Sequence, residues 1–331
     1  MCAMPSPVHI NISGSFKLVS DELGRVKSLI AEQLAGFDEP VDKWMEHLNV
    51  SSGKMIRPAL VLLAGAAVNR ITDLHIHIAA IMEIIHNATL LHDDVIDQGR
   101  QRRGRPTANV LWGNESAVLL GDFLLTRVFE MCAHLQPDLT KIIADTTTRI
   151  CKGELRQLTQ KENWQLSESE YIDIITEKSA VLFSSCCLLG ASLADGSQRQ
   201  CQLLSGFGLD TGIAFQITDD LIDIAGDESR TGKTLGSDLD KNKPTLALIH
   251  LLAVTDKKSK SAIKRRLSGT EQDKFSPSAI EQMLRSSDSL EYVRRRAREF
   301  VKKAILSLAD LRESDAKNAL IETAGFVADR V

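Results

Sequence analysis

The sequence predicts an all-α fold, a helical bundle of one domain spanning residues 1–331, and three observations carry that prediction. Apolar residues recur at i, i+3, i+4 and i+7 along most of the chain, and no segment alternates as a half-buried strand does. Aromatic residues make up only 5% and eight prolines interrupt the chain, leaving cores built from Leu, Ala and Ile, a composition that favours helices. No Gly-, Ser- or Pro-rich stretch divides the sequence as a linker would.

In chain order, Val19, Leu23, Val26, Ile30 and Leu34 share one face and predict a first helix over about 15–36. Pro40 marks a turn. Ser51 to Pro58 then opens a strongly apolar helix that runs through Val68, with Pro58 in its first turns. Thr72 or Asp73 caps the next helix, which ends in a run of aspartates at 93–97. The periodicity stops between about 98 and 113, where Arg100, Arg102, Arg103 and Arg105 fall within six residues. Helical patterns resume over about 114–135, 138–161, 167–194 (broken near Gly190) and 198–224. A second polar loop, 226–243, contains Gly232, Lys233 and Gly236. After Pro244, helices are expected at about 245–255, 257–267, 276–285, 288–312 and 314–327.

A net charge of −4 argues against nucleic acid as a partner. The basic run Arg294-Arg295-Arg296 alternates with apolar positions and reads as a solvated helix face. The six cysteines include no Cys-x-x-Cys pair, so they read as small buried hydrophobes in a reducing compartment and not as a disulfide or zinc framework. The first sixteen residues lack a targeting pattern, and the longest uncharged run, 179–194, falls short of the roughly 20 apolar residues a membrane span needs. No transmembrane segment and a cytoplasmic location are expected.

The chemistry concentrates in two matching runs, Asp93-Asp94-Val95-Ile96-Asp97 and Asp219-Asp220-Leu221-Ile222-Asp223. On a helix the first and last Asp of each share a face one turn apart. Like charges at that spacing repel, and Asp is a weak helix former, so stability alone does not account for them. A hard divalent cation reverses the balance by taking carboxylate oxygens. One such run alone reads as a solvated helix end; two in matching apolar settings point to a site. Each is followed by cations: Arg102, Arg103 and Arg105 after the first, Lys233, Lys241 and Lys243 after the second. Lys54 and Arg57 stand upstream at a helix start. Magnesium prefers one or two carboxylates plus substrate phosphates, and Arg and Lys neutralise the remaining phosphate oxygens, so this alternation suits a metal–diphosphate ligand. Surface salt bridging is the bland alternative. Glu83-Ile84-Ile85-His86 has the Glu-x-x-His spacing of di-iron bundles, but no second copy exists, leaving His86 as a phosphate donor or a core histidine.

With Gly53-Lys54-Met55-Ile56-Arg57-Pro58, Arg102-Arg103-Gly104, Gly121-Asp122-Phe123-Leu124, Glu177-Lys178-Ser179, Gln216-Ile217-Thr218, Gly232-Lys233 and Asn242-Lys243-Pro244-Thr245, the two motifs make the chain resemble the trans-isoprenyl diphosphate synthases, of the polyprenyl (octaprenyl-type) branch. Ser179 stands where the family more often has Thr, and Ala247 where Pro is frequent. The resemblance implies the isoprenoid-synthase bundle around a central cavity, a homodimer, and magnesium held by Asp93, Asp97 and Asp219 with Asp94, Asp220 and Asp223 in support. It implies that Arg102, Lys178, Ser179, Gln216 and Lys233 hold an allylic diphosphate, while Lys54, Arg57, His86 and Arg103 hold isopentenyl diphosphate. A terpene cyclase would not need the latter set, and a noncatalytic subunit would be expected to have lost an Asp motif.

The resemblance also places the growing tail alongside the residues before Asp93, where Thr89 and Ala88 are small. That helix, Thr72 to His92, would be about 31 Å long, which sets an expected product of about thirty to forty carbons against the alternative of a shorter farnesyl- or geranylgeranyl-length one. Phe123, Phe129 and Met131 are candidates for the tunnel floor.

Overall fold

A long apolar helix organises the packing in the computed structural model, which describes residues 12–39, 41–48, 50, 53–102, 104–225, 241–269 and 275–330. After a single turn α1 (Ile12–Ser15) come α2 (Ser20–Gln33), α3 (Val41–Leu48), α4 (Ile56–Val68) and that central helix, α5 (Asp73–Ile96). Its first turn is closed by His75, fully buried, whose Nδ1 accepts from the Thr72 amide at 3.1 Å. The ring proton therefore sits on Nε2, which donates to the Gly190 carbonyl at 3.0 Å, and burial keeps the ring neutral by lowering its pKa. The start of α5 is thus fastened to α9 (Val181–Leu193).

The remaining helices are α6 (Ala108–Cys132), α7 (Pro137–Thr159), α8 (Glu168–Ile175), α10 (Gln198–Ala225), α11 (Leu246–Val254), α12 (Lys257–Leu267), α13 (Pro277–Ser286), α14 (Ser289–Ser307) and α15 (Asp315–Ala328). Two apolar clusters form around them. One gathers α4, α5, α6, α9 and α15; the other gathers α8, α11, α13 and the first half of α14 against α10, and Phe300 touches both. The all-α prediction holds. The one departure among the described residues is a two-residue antiparallel pairing, Gln101–Arg102 with Arg105–Pro106, inside the loop where periodicity stops. Helix α6 starts at Ala108 and kinks at Gly113 (φ 86°), which is why its apolar pattern becomes regular only at about 114.

Gly190 does not break its helix, contrary to the sequence expectation. It lies inside α9, where a Cβ would stand 2.2 Å from the Val61 carbonyl oxygen, so the residue is small to let α4 and α9 meet backbone to backbone. The break lies earlier, in a five-residue π turn, Thr176–Ala180, between α8 and α9. Of the described cysteines, Cys132, Cys186 and Cys187 are buried as expected, but Cys151 is exposed. The stretches Asp73–Ile96 and Glu168–Leu193 are long and apolar enough to cross a membrane by length and composition, but 72% and 67% of their apolar windows are buried within the fold, which marks them as core helices. Gly190→Ala is expected to cost about 3 kcal/mol or more, measured by urea unfolding, because backbone, unlike a side-chain tip, cannot give way.

Candidate active site

The first Asp motif closes α5 and the second closes α10, and cations from five other segments converge on them. Asp97 accepts from Lys243 Nζ at 2.6 Å, with Lys241 Nζ 3.9 Å away. Burial works against its ionisation, but Lys243, Lys241 and Lys178 prevail and hold its carboxyl below the usual range. These two lysines follow the second motif in sequence yet serve the first. Asn242 and Glu162 turn the chain to do so: both adopt left-handed φ (56° and 64°), the Glu162 amide donates to the Asn242 carbonyl, and the Asn242 amide reaches Glu162 Oε1 at 2.8 Å.

Asp93 faces Lys178, whose Nζ is 3.9 Å from it, 2.5 Å from Glu154 and 2.8 Å from Gln157 Oε1. Burial pushes the Asp93 carboxyl up to about 6, opposed by Lys178 and reinforced by Glu154 and Asp97. Burial also disfavours charge on Lys178, but Asp93 and Glu154 outweigh it and raise its pKa. Lys178 and Ser179 lie on the π turn, and Gly153 of α7 makes room for it: a Cβ there would stand 2.3 Å from the Lys178 amide nitrogen. Such turns recur at functional sites because they push side chains out of helical phase. Asp94 is buried and bound by Arg102, with Nε at 3.0 Å and Nη2 at 2.7 Å, a fork-to-carboxylate contact.

At the second motif, Asp219 pairs with Arg330 at 3.2 Å, the Arg330 guanidinium lying 4.6 Å over the Phe215 ring. Lys54 stands over Phe326 at 4.7 Å, its pKa lowered by burial and by Arg330 while Asp219 opposes. Asp220 accepts from Tyr171 Oη and from Gln216 Nε2, both at 2.7 Å, and Gln216 Oε1 accepts from Ser179 Oγ at 2.6 Å. Arg57, 4.9 Å over Phe183, lies with Glu83 close enough for both charges to act on the buried Cys186 thiol. His86 is half-buried on α5, two turns before Asp93. Arg103 and Lys233, with Gly232 and Gly236, lie outside the described residues.

Sequence reasoning missed Glu154, Gln157, Tyr171, Phe326 and Arg330. Glu154 and Gln157 sit one turn apart on an ordinary amphipathic helix, and Arg330 follows the last helix in a context with no local signal. Three tunnel-floor candidates separate here. Phe129 is 68% exposed, so it points out of the bundle; Phe123 packs edge-on against Phe37; only Met131 is buried in the core. Ala88 is fully buried and Thr89 donates to the His86 carbonyl. A cavity of about 310 Å³ beside the first motif is lined by Asn87, Leu90, Leu91 and Asp94, the neighbouring face of α5 to Ala88 and Thr89.

The donor set fits a hard divalent cation. Asp97 Oδ1 is buried with no hydrogen-bond partner among the described residues.

The polyprenyl synthetase family model matches residues 38–285. The octaprenyl diphosphate synthase of Escherichia coli (strain K12) is 33% identical over 323 residues, 97% of this chain and 99% of that protein. A short chain isoprenyl diphosphate synthase of Methanothermobacter thermautotrophicus is 34% identical, over 86% of this chain and 89% of its own length. The structure of a polyprenyl synthase from Caulobacter crescentus CB15, complexed with calcium and isoprenyl diphosphate, superposes with a TM-score of 0.91 at 31% identity, covering 97% of this chain and 98% of that one. Matched by the family model over residues 38–285 and by a relative and a solved structure over nearly its whole length, the chain belongs to the polyprenyl synthetase family and is a prenyltransferase.

Proposed function

We propose that the protein, as one domain in the cytoplasm, condenses isopentenyl diphosphate with an allylic diphosphate to give an all-trans polyprenyl diphosphate of about thirty to forty carbons. The observation that carries this reading is the opposed pair of Asp motifs, each met by cations from outside its own helix. Asp93, Asp97 and Asp219 would hold magnesium, which supplies charge neutralisation to the departing pyrophosphate. Arg102, Lys178, Ser179, Gln216 and Lys233 hold the allylic diphosphate. Lys54, Arg57, His86 and Arg103 hold isopentenyl diphosphate, with its double bond toward the allylic carbon. The preorganised cations stabilise charge as the pyrophosphate leaves, and the apolar walls keep water from the allylic cation until the double bond attacks it. Loss of a proton completes one elongation.

Asp93→Ala and Asp219→Ala are each expected to lower condensation of isopentenyl and farnesyl diphosphates by about a thousandfold or more with helical circular dichroism unchanged. Turnover near wild type in either purified variant would refute the assignment. For product length, the small Ala88 and Thr89 support a long tail path; the alternative is that they are small only to let two helices pack closely, Ala88 being fully buried. Ala88→Phe separates them: beside a tail path it yields an active enzyme whose products shorten to about fifteen or twenty carbons. In a plain helix contact it lowers the melting temperature and leaves product lengths as they were.

A homodimer is part of the proposal. Val118, Leu119 and Phe129 project from α6 as exposed large apolar side chains that a second copy would cover. Light scattering should give a dimeric mass for the wild type and a monomeric one for Leu119→Glu/Phe129→Glu. A monomeric wild type would remove this part.

A further inference from the structure

We propose that Tyr171 is a positioning residue for the second Asp motif, acting through Asp220. Three observations lead there. Tyr171 is 3% exposed, its ring packed in the second apolar cluster, yet its hydroxyl emerges on the site side and donates to Asp220 Oδ2 at 2.7 Å. The other Asp220 oxygen accepts from Gln216, which accepts from Ser179, so a chain Ser179–Gln216–Asp220–Tyr171 joins the π turn, the end of α10 and α8. Finally, α8 is held from behind. Its N-terminus carries a reciprocal cap between Ser167 and Glu170, and Glu168 accepts from Arg296 Nε of α14 at 2.7 Å and from the Tyr292 hydroxyl.

These contacts form a strut. Helix α14 fixes Glu168, α8 carries Tyr171, and Tyr171 fixes a carboxylate flanked on one side by Asp219. A hydrogen bond to a charged, partly buried acceptor holds geometry more firmly than a neutral one. It also leaves Asp220 oriented by donors on both oxygens while Asp219 pairs with Arg330. Neighbouring positions on a helix point about 100° apart, so Asp219 and Asp220 diverge. Binding Asp220 to a rigid phenol holds its carboxylate, and with it the end of α10, in one orientation. The Glu168–Arg296–Tyr292 cluster, remote from the reacting groups, thereby acquires a role in the site.

The inference rests on the function proposed above, and Tyr171→Phe tests it because the ring, and with it the apolar packing, stays. Three measurements on the full-length protein are compared with wild type. Calorimetric titration with farnesyl diphosphate and magnesium, without isopentenyl diphosphate, should show affinity weakened by roughly tenfold. Amide hydrogen exchange over 216–223 in the metal-free protein should quicken, and the KM for isopentenyl diphosphate should stay within about twofold. Glu168→Gln should move the first two quantities in the same direction by less. A Tyr171→Phe protein with farnesyl diphosphate affinity and 216–223 exchange equal to wild type overturns the proposal, as does one that loses only melting temperature. If the wild type neither binds farnesyl diphosphate nor turns over, the proposed function fails instead, so the two failures are distinguishable.

Discussion

Charge balance in a cleft that water only partly reaches is the constraint on which this structure depends. Carboxylates at the ends of α5 and α10 would repel one another and unwind their helix ends if left alone. Each is met by a cation from a different part of the chain: Lys178 from the π turn, Lys241 and Lys243 from the segment before α11, and Arg330 from beyond α15. Because these partners are distant in sequence, the site exists only when the helices are docked. The rigid contacts between helices, His75 on the Gly190 carbonyl and Gly190 against Val61, are therefore as much a part of it as the carboxylates.

The same electrostatics suits the proposed chemistry. Under the proposed function, Lys178, which rests on Glu154 and Asp93, would exchange these carboxylates for diphosphate oxygens. Changing partners then costs little reorganisation, which is the advantage of a preorganised polar site over water. Lys178 shows the balance most clearly: buried, yet held charged by Glu154 and Asp93. Asp93, by contrast, is pushed toward protonation by its surroundings, so a cation brought close to it relieves a stress the fold has built in.

Much of this was legible in the sequence, and the reason differs by element. The Asp motifs stood out because local repulsion made them costly without a ligand. The start of α5 followed from Thr72, whose chemistry acts within one turn. What could not be read depends on tertiary contact. Gly190 reads as a breaker until Val61 is known to lie against it. Phe129 has the volume of a tunnel floor, but its face is set by how α6 packs. Tyr171 and Arg330 meet Asp220 and Asp219 across the fold, and neither carries a local signature.

The π turn at Thr176–Ala180 has one further consequence. Such a turn is an α-helix carrying one residue too many, so the two helices it joins are out of phase by roughly 100°. Tyr171 on one side and Phe183 on the other face their partners because of that offset. Deleting a single codon within the turn would leave a continuous, well-formed α-helix of nearly unchanged composition. It would also rotate Lys178 and Ser179 off Glu154 and Gln216, or Tyr171 off Asp220. In this stretch the count of residues matters more than their identity, so single-residue deletions should be tolerated far less than side-chain substitutions at Thr176 or Glu177.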